Sequence, residues 1–282
     1  MSQDGRIKIG IVAPGGRLFP ALSERVLELA AGMFPDLPVD IWFHPQCFDS
    51  SGHFAGTDAV RAQAFLDVAN DDSFHALWFG RGGYGSFRLI ETVLPRLKAA
   101  ANNKIFLGYS DAGAMLGALY HAGIGRIAHG PMPADLNRKG GDDAIRRTLA
   151  FLVKGDSAAL EPSLDPATPA AAMNMTILSH LIGTPYMPDL AGHVLMLEEV
   201  SEPMYRIDRA LGQITSTPAV RQVAGIRLGR CSAIPENDPD FGRDEEEVTR
   251  EWCQRSGIPY LGRADIGHDI DNKIVPFGRW RP

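Results

Sequence analysis

Apolar positions along this chain follow two alternating periods. "RIKIGIVAPGG" is a β-rich apolar run closed by Pro14, Gly15 and Gly16, which predicts a strand and a turn. "PALSERVLELAAGMF" then sets Leu22, Val26, Leu27, Leu29 and Ala30 at helical spacing. "VDIWFH" predicts a second strand, and "TDAVRAQAFLDVAND" a second helix with Thr57 at its N-cap. "FHALWFG" predicts a third strand, "FRLIETVLPRLKAA" a third helix kinked or ended by Pro95, "KIFLGYS" a fourth strand and "AGAMLGALYHAG" its helix. Such alternation predicts an α/β fold with a mostly parallel sheet covered on both faces. In such sheets ligands gather beyond the carboxyl ends of the strands. The Pro14–Gly16 turn, the glycines at 80–85 and Ser110 all fall there.

"KGDSAALEPSLDPATPAAAM" is rich in Ala, Pro and Ser and reads as a connector. After it, "MTILSHLIGTP", "YRIDRALGQITST" and "EEEVTREWCQRSG" read as helices, and "GHVLMLEEV", "VAGIRLGRC" and "IPYLGRADIGH" as strands, the last running into a turn. The expected organisation is a first α/β domain over 1–150, a linker over 151–171 and a smaller α/β domain over 172–282.

The 282 residues suffice for one large or two ordinary domains. A net charge of −6 and a pI near 5.7 argue against a nucleic-acid partner, which needs a basic face. No apolar stretch is long enough for a bilayer, and "MSQDGRIKIG" lacks the apolar core of a signal peptide. Cys47, Cys231 and Cys253 are widely separated and odd in number, with neither metal nor disulfide spacing. The expectation is a cytoplasmic protein with no membrane partner, metal or cofactor.

"FGRGGYGSFRL" contains Gly80-x-Gly82-x-x-Gly85 between a strand and a helix, the spacing of a dinucleotide fingerprint. That fingerprint belongs after the first strand of its unit, with an acid ending the next strand; this loop follows the third strand, and the next ends in Tyr109-Ser110. The glycines suit a second purpose, presenting bare backbone N–H groups to an anion or oxyanion. Arg81 and Tyr84 add polar reach at the same rim.

Gly108-x-Ser110-x-Ala112 is close to the G-x-S-x-G corner, where a serine nucleophile stands on a sharp strand-to-helix turn. Ser110 is equally well placed to cap the helix that follows, and the pentapeptide leaves both readings open. A nucleophile needs a base and the base an orienting acid. Of the eight histidines, His44, His53, His75, His121, His180 and His193 have ordinary settings, whereas His129 follows a strand and His268 lies in a loop beside Gly267. "VLMLEEV" ends a strand with Glu198 and Glu199, of which at most one faces a given side.

These stretches, with "FAGTDAVRAQAFLDVANDD", "RGGYGSFRLI", "GYSDAGAML", "AHGPM", "LIGTPYMPDLAG", "LMLEEVSEPMYRIDRAL" and "IGHDIDNKIVPFG", resemble the LD-carboxypeptidases of the serine peptidase group that also holds the microcin C self-immunity peptidases. They run in family order from residue 8 to 278. The resemblance implies a Rossmann-like N-terminal domain, a distinctive C-terminal domain, a site between them and a homodimer. It assigns the nucleophile to Ser110, the acid to Glu198, the base to His268, and the oxyanion hole to N–H groups of Asp111 and of the Gly82-Gly83 turn. It implies removal of the terminal D-alanine from a murein tetrapeptide, without metal or cofactor. Arg81, Tyr84 and Asn174 are the expected substrate-binding residues, with Arg88 and Arg206 as further candidates for the substrate carboxylate. The chain departs from the family pattern at Ala172 and Met173, which replace glycines before Asn174, and in "APG" where "APS" is common. Rival expectations are an immunity peptidase acting on aminoacyl-nucleotide conjugates with the same triad, a nicotinamide oxidoreductase and a non-catalytic binding protein.

Overall fold

The computed structural model describes residues 6–280; the ends of the expected domain limits, 1–5 and 281–282, lie outside the described residues. Strands and helices alternate as the pattern predicts: β1 (Ile7–Val12), α1 (Pro20–Met33), β2 (Val39–Phe43), α2 (Asp58–Ala69), β3 (Ala76–Phe79), a single turn α3 (Ile90–Val93), β4 (Ile105–Gly108), α4 (Ala112–His121), β5 (Arg126–His129) and α5 (Gly141–Lys154). The second half contributes β6 (Ala170–Asn174), α6 (Met175–Leu181), β7 (Val194–Val200), α7 (Met204–Ser216), β8 (Gly225–Ser232), α8 (Glu245–Ser256), β9 (Tyr260–Arg263) and β10 (Val275–Pro276).

The first sheet has the order β10-β5-β4-β3-β1-β2, parallel throughout except for the antiparallel β10. The second, β6-β7-β8-β9, is wholly parallel. The molecule is therefore α/β with a mostly parallel sheet and a second, smaller one. β3 is buried at every position, as expected of a strand covered on both faces. One apolar core runs from Phe65 and Phe79 through Met115 to Leu195, Leu211 and Leu228, joining the layers of both sheets. No helix among the described residues is long and apolar enough to cross a membrane.

Three segments differ from expectation. The third helix is not continuous: 3₁₀ turns at Phe87–Leu89, Leu94–Arg96 and Ala99–Asn103 surround the single turn α3. Pro95 has no N–H to donate and its ring displaces the carbonyl four residues earlier, so the α ladder stops there. Helix α5 is absent from the expected elements; it crosses residue 150 and ends at Gly155 in a left-handed cap. Strand β6 lies partly in the expected linker, because "AAAMN" is small-residue sequence buried at all five positions, with little amphipathic signal.

Candidate active site

Strand β4 ends at Gly108, and the chain turns through Ser110 into α4. Ser110 has φ of +59°, one of three non-glycine residues in the described chain with positive φ. Such a backbone costs about 1–3 kcal/mol and persists where its surroundings enforce it. The helix-cap reading of the hydroxyl does not hold. The N-cap residue of α4 is Asp111, without a side-chain cap bond, and Ser110 meets the helix through its carbonyl, which accepts from Gly113 N at 2.8 Å.

The glycine loop is tied to this corner by Asp111. Its carboxylate, 3% exposed, accepts from Gly85 N at 3.1 Å and Ser86 N at 2.9 Å, while the Ser86 hydroxyl donates to the Asp111 carbonyl. Burial raises the pKa of that carboxyl against the opposing pull of the Ser86 and Gly85 bonds. Gly82 lies against the serine: a Cβ there would stand 2.9 Å from both Cβ and Oγ of Ser110. On the other side, the Gly82 carbonyl accepts from Gly16 N at 3.2 Å, so the Pro14–Gly16 turn buttresses the loop. Buried Arg61 donates to carbonyls of both turns, Pro14 on one side and Gly85, at 3.0 Å, on the other. Among the described residues, the N–H groups of Gly82, Gly83 and Asp111 have no hydrogen-bond partner. These donors sit at the amino end of α4, where the helix dipole favours negative charge.

From the other sheet comes an acid–imidazole pair. Glu198, in β7 and wholly buried, lies with Oε2 2.5 Å from Nδ1 of His268, itself 8% exposed. The Tyr109 ring packs on the imidazole at 4.8 Å between centroids. Burial alone would lower the His268 pKa; the Glu198 carboxylate outweighs it, and the net direction is up. His268 Nε2 and Glu198 Oε1 are buried with no hydrogen-bond partner among the described residues. The loop is held rigidly: Arg230 pairs with Asp265 at 2.6 Å and with Asp269, while Arg147 donates to the carbonyls of Ile270 and Asn272, both at 2.9 Å. His129 is part of this support. Its Nε2 is 3.1 Å from Asn272 Oδ1, which also accepts from Gly267 N at 3.2 Å, and burial lowers the His129 pKa. Glu199 faces the other way, accepting from Asn174 Nδ2 at 2.7 Å, Thr176 N at 2.9 Å and Thr176 Oγ1 at 2.8 Å.

A cavity of about 320 Å³ joins the two halves of the site, with Ser110, Gly82, Gly83, Arg81 and His268 on its wall. Ser110 and His268 thus share one cavity, without a hydrogen bond from His268 Nε2 to the hydroxyl in this state. Such bonds are often open in unliganded enzymes. Two expected substrate residues are not on that wall. Gly83, at φ +97°, turns the chain so that Tyr84 is 53% exposed and packs against His53 and Phe54. Asn174 has both ends of its amide engaged, donating to Glu199 and accepting from Ile177 N at 3.1 Å as the N-cap of α6. Arg88 is committed to Asp58 at 2.6 Å, and Arg206 pairs with Glu202 at 2.5 Å beside a different pocket.

The wall also holds residues that the pattern does not single out. Tyr109 donates its hydroxyl to Asp135 Oδ1 at 2.6 Å, Met132 N donates to Asp135 Oδ2 at 2.8 Å, and Arg138 Nε reaches Asp135 Oδ1 at 3.1 Å. Tyr109 directly follows β4, and the other three belong to the loop after β5, whose Pro131 carbonyl is fixed by Trp78 Nε1 at 2.8 Å. "AHGPM" marks the start of that loop, but "ADLNR" beyond it carries no pattern that points inward.

Profiles described as LD-carboxypeptidase N-terminal domain and LD-carboxypeptidase C-terminal domain match residues 9–130 and 169–281. A Synechocystis protein that carries a provisional carboxypeptidase name is 32% identical, over 96% of this chain and 89% of its own length. The crystal structure of muramoyltetrapeptide carboxypeptidase from Oxalobacter formigenes superposes with a TM-score of 0.77 at 25% identity, covering 95% of this chain and 93% of that one. The microcin C7 self-immunity protein in complex with aspartyl sulfamoyl adenosine superposes at 0.75 with 18% identity, covering 97% and 96%, a likeness of fold.

Proposed function

The chain belongs to the LD-carboxypeptidase family, and on that premise we propose that it is a serine carboxypeptidase acting through Ser110, His268 and Glu198. The observation that carries this reading is the strained Ser110, at φ +59°, opening on the same cavity as an imidazole whose far nitrogen is 2.5 Å from a buried carboxylate. His268 Nε2 takes the Ser110 proton as Oγ bonds to the amide carbonyl carbon, and Glu198 stabilises the imidazolium. The N–H groups of Asp111, Gly82 and Gly83 receive the oxyanion, each such donor being worth about 3 kcal/mol of barrier. The carbon–nitrogen bond then breaks, His268 passes its proton to the departing amine, and water repeats the sequence to release Ser110.

The substrate in this reading is a murein tetrapeptide, whose L,D amide bond is cleaved to release D-alanine; the name of the Oxalobacter relative supports it. The reading extends to a cytoplasmic homodimer, as family resemblance implies. Ser110→Ala tests it. The variant should fold as the parent does and release D-alanine at least about 10³-fold more slowly. Release near the parental rate would refute the assignment.

A further inference from the structure

A carboxypeptidase must tell a free C-terminal carboxylate from an amide, and four arginines are candidates to do so. Arg88 and Arg206 are bound to Asp58 and Glu202. Arg81 reaches the cavity, but its Nη1 is tied to the Arg17 carbonyl at 3.2 Å and no acid among the described residues orients it. Arg138 differs. It lines the cavity with Ser110 and His268, its side chain is 39% exposed, and it is anchored through Nε to Asp135 beside the Tyr109 hydroxyl. Asp135, 4% exposed, is fixed in turn by Tyr109 Oη and Met132 N.

We propose that Arg138 is the substrate-carboxylate receptor of this site, presenting its Nη1–Nη2 fork to the terminal carboxylate of the scissile D-residue. This rests on the carboxypeptidase reading above. A guanidinium held at Nε keeps its planar terminal pair for a bidentate bond and loses little freedom on binding. One Arg138–Asp135–Tyr109 chain thereby links the receptor to the ring packed on the base, so the group that recognises substrate and the group that activates Ser110 share one support.

The test compares Arg138→Gln with the parent on diacetyl-L-lysyl-D-alanine and on its C-terminal amide. Labelling of Ser110 by a fluorophosphonate without a carboxylate is measured alongside. Gln can still donate to Asp135 but lacks the fork. The parent should prefer the acid. In Arg138→Gln that preference should collapse through an approximately 100-fold fall in kcat/KM on the acid, carried by KM, while Ser110 labels at a rate within about threefold of the parent. Arg81→Ala should keep the preference. A preference that survives Arg138→Gln, or is absent from the parent, overturns the proposal. So does an equal loss on acid, amide and phosphonate, which would mean that Arg138 only supports Asp135. Absence of labelling in the parent refutes instead the serine mechanism. A parent that labels but cleaves neither peptide refutes the carboxypeptidase reading and the receptor with it.

Discussion

Glu198→Gln isolates the charge of the buried acid from its shape. Glu198 is wholly buried and contacts His268 at 2.5 Å. With a charge separation of about 4 Å and an effective dielectric of about 20, its attraction for an imidazolium is worth roughly 4 kcal/mol. That corresponds to about 10³-fold in rate if the imidazolium forms in the transition state. Gln also offers an amide N–H to Nδ1, which favours the tautomer with its proton on Nε2, the wrong one for a base. The pH dependence carries a second signature. The base must be neutral, so activity falls as pH drops through the His268 pKa, which burial lowers and Glu198 raises, the net direction being up. Without the carboxylate burial prevails, and the acid limb of kcat/KM moves to lower pH. The deficit should therefore be largest on the alkaline plateau and shrink toward acid. Stability runs the opposite way. A histidine raised in the folded state stabilises fully below its unfolded pKa, near 6.5, and loses that contribution as pH rises through the folded value. The melting-temperature gap between parent and Glu198→Gln should narrow as pH increases, while the activity gap widens. Steady-state D-alanine release and calorimetry from pH 5 to 9 measure both. A plateau deficit under about 10-fold, or an acid limb that does not move, refutes the role of Glu198.

Gly82→Ala brings a Cβ to 2.9 Å from Ser110 Oγ and 3.5 Å from Met132 Cε. It should lower kcat/KM by about 10²-fold or more by displacing the hydroxyl or an oxyanion donor, with a stability loss of only about 1–3 kcal/mol from overpacking; parental kinetics would contradict the close approach. Asn174→Ala removes both the α6 cap and a bond to buried Glu199. Urea unfolding should show a loss of about 2–4 kcal/mol, and a change under about 0.5 kcal/mol would refute its structural role.

The strand-to-helix alternation that places the site is legible because each strand ends abruptly at glycine or a polar corner. Ser110 stands out in sequence because small residues flank it, and His268 because Gly267 precedes it. The structure shows what that smallness serves. A side chain at Gly108 would lie 2.9 Å from Phe79 Cβ, and one at Gly267 would lie 2.9 Å from Arg230 Cβ. Arg138 and Asp135 are not legible. They act through a 3₁₀ turn at Pro133–Asn137 that brings a polar stretch over the cavity by tertiary contacts, Ala134 N to the Gly80 carbonyl at 3.0 Å among them. No period in the sequence records such a contact. Helix α5 is a different kind of omission. Its buried Ala144, Ile145, Thr148, Leu149 and Leu152 follow helical spacing, and the information was present in the pattern. In β6, by contrast, alanine serves helix, strand and connector alike, and pairing with β7 together with burial decides the outcome.

The glycine loop shows why spacing alone misleads. Gly80-x-Gly82-x-x-Gly85 has the intervals of a dinucleotide fingerprint, yet each glycine answers a different neighbour. A Cβ at Gly80 would meet Leu18 Cδ1 at 2.7 Å, one at Gly82 would meet the Ser110 side chain, and Gly85, at φ +139°, lies against Arg61 and Phe54. All three demands involve side chains distant in sequence: Leu18, Ser110, and Arg61 with Phe54. The loop comes close to Ser110 because Asp111 accepts the N–H groups of Gly85 and Ser86, so the residue after the serine fixes the distance at which the glycines stand. A diphosphate loop requires its N–H groups to converge outward on a ligand. Here two of them turn inward to Asp111, and Gly82 lies beside the hydroxyl, with Gly83 on the same cavity wall. In the proposed serine mechanism, the N–H groups that hold the corner at Asp111, rather than the glycine count, therefore separate this loop from a nucleotide loop, and the acid that follows the serine is what sets it.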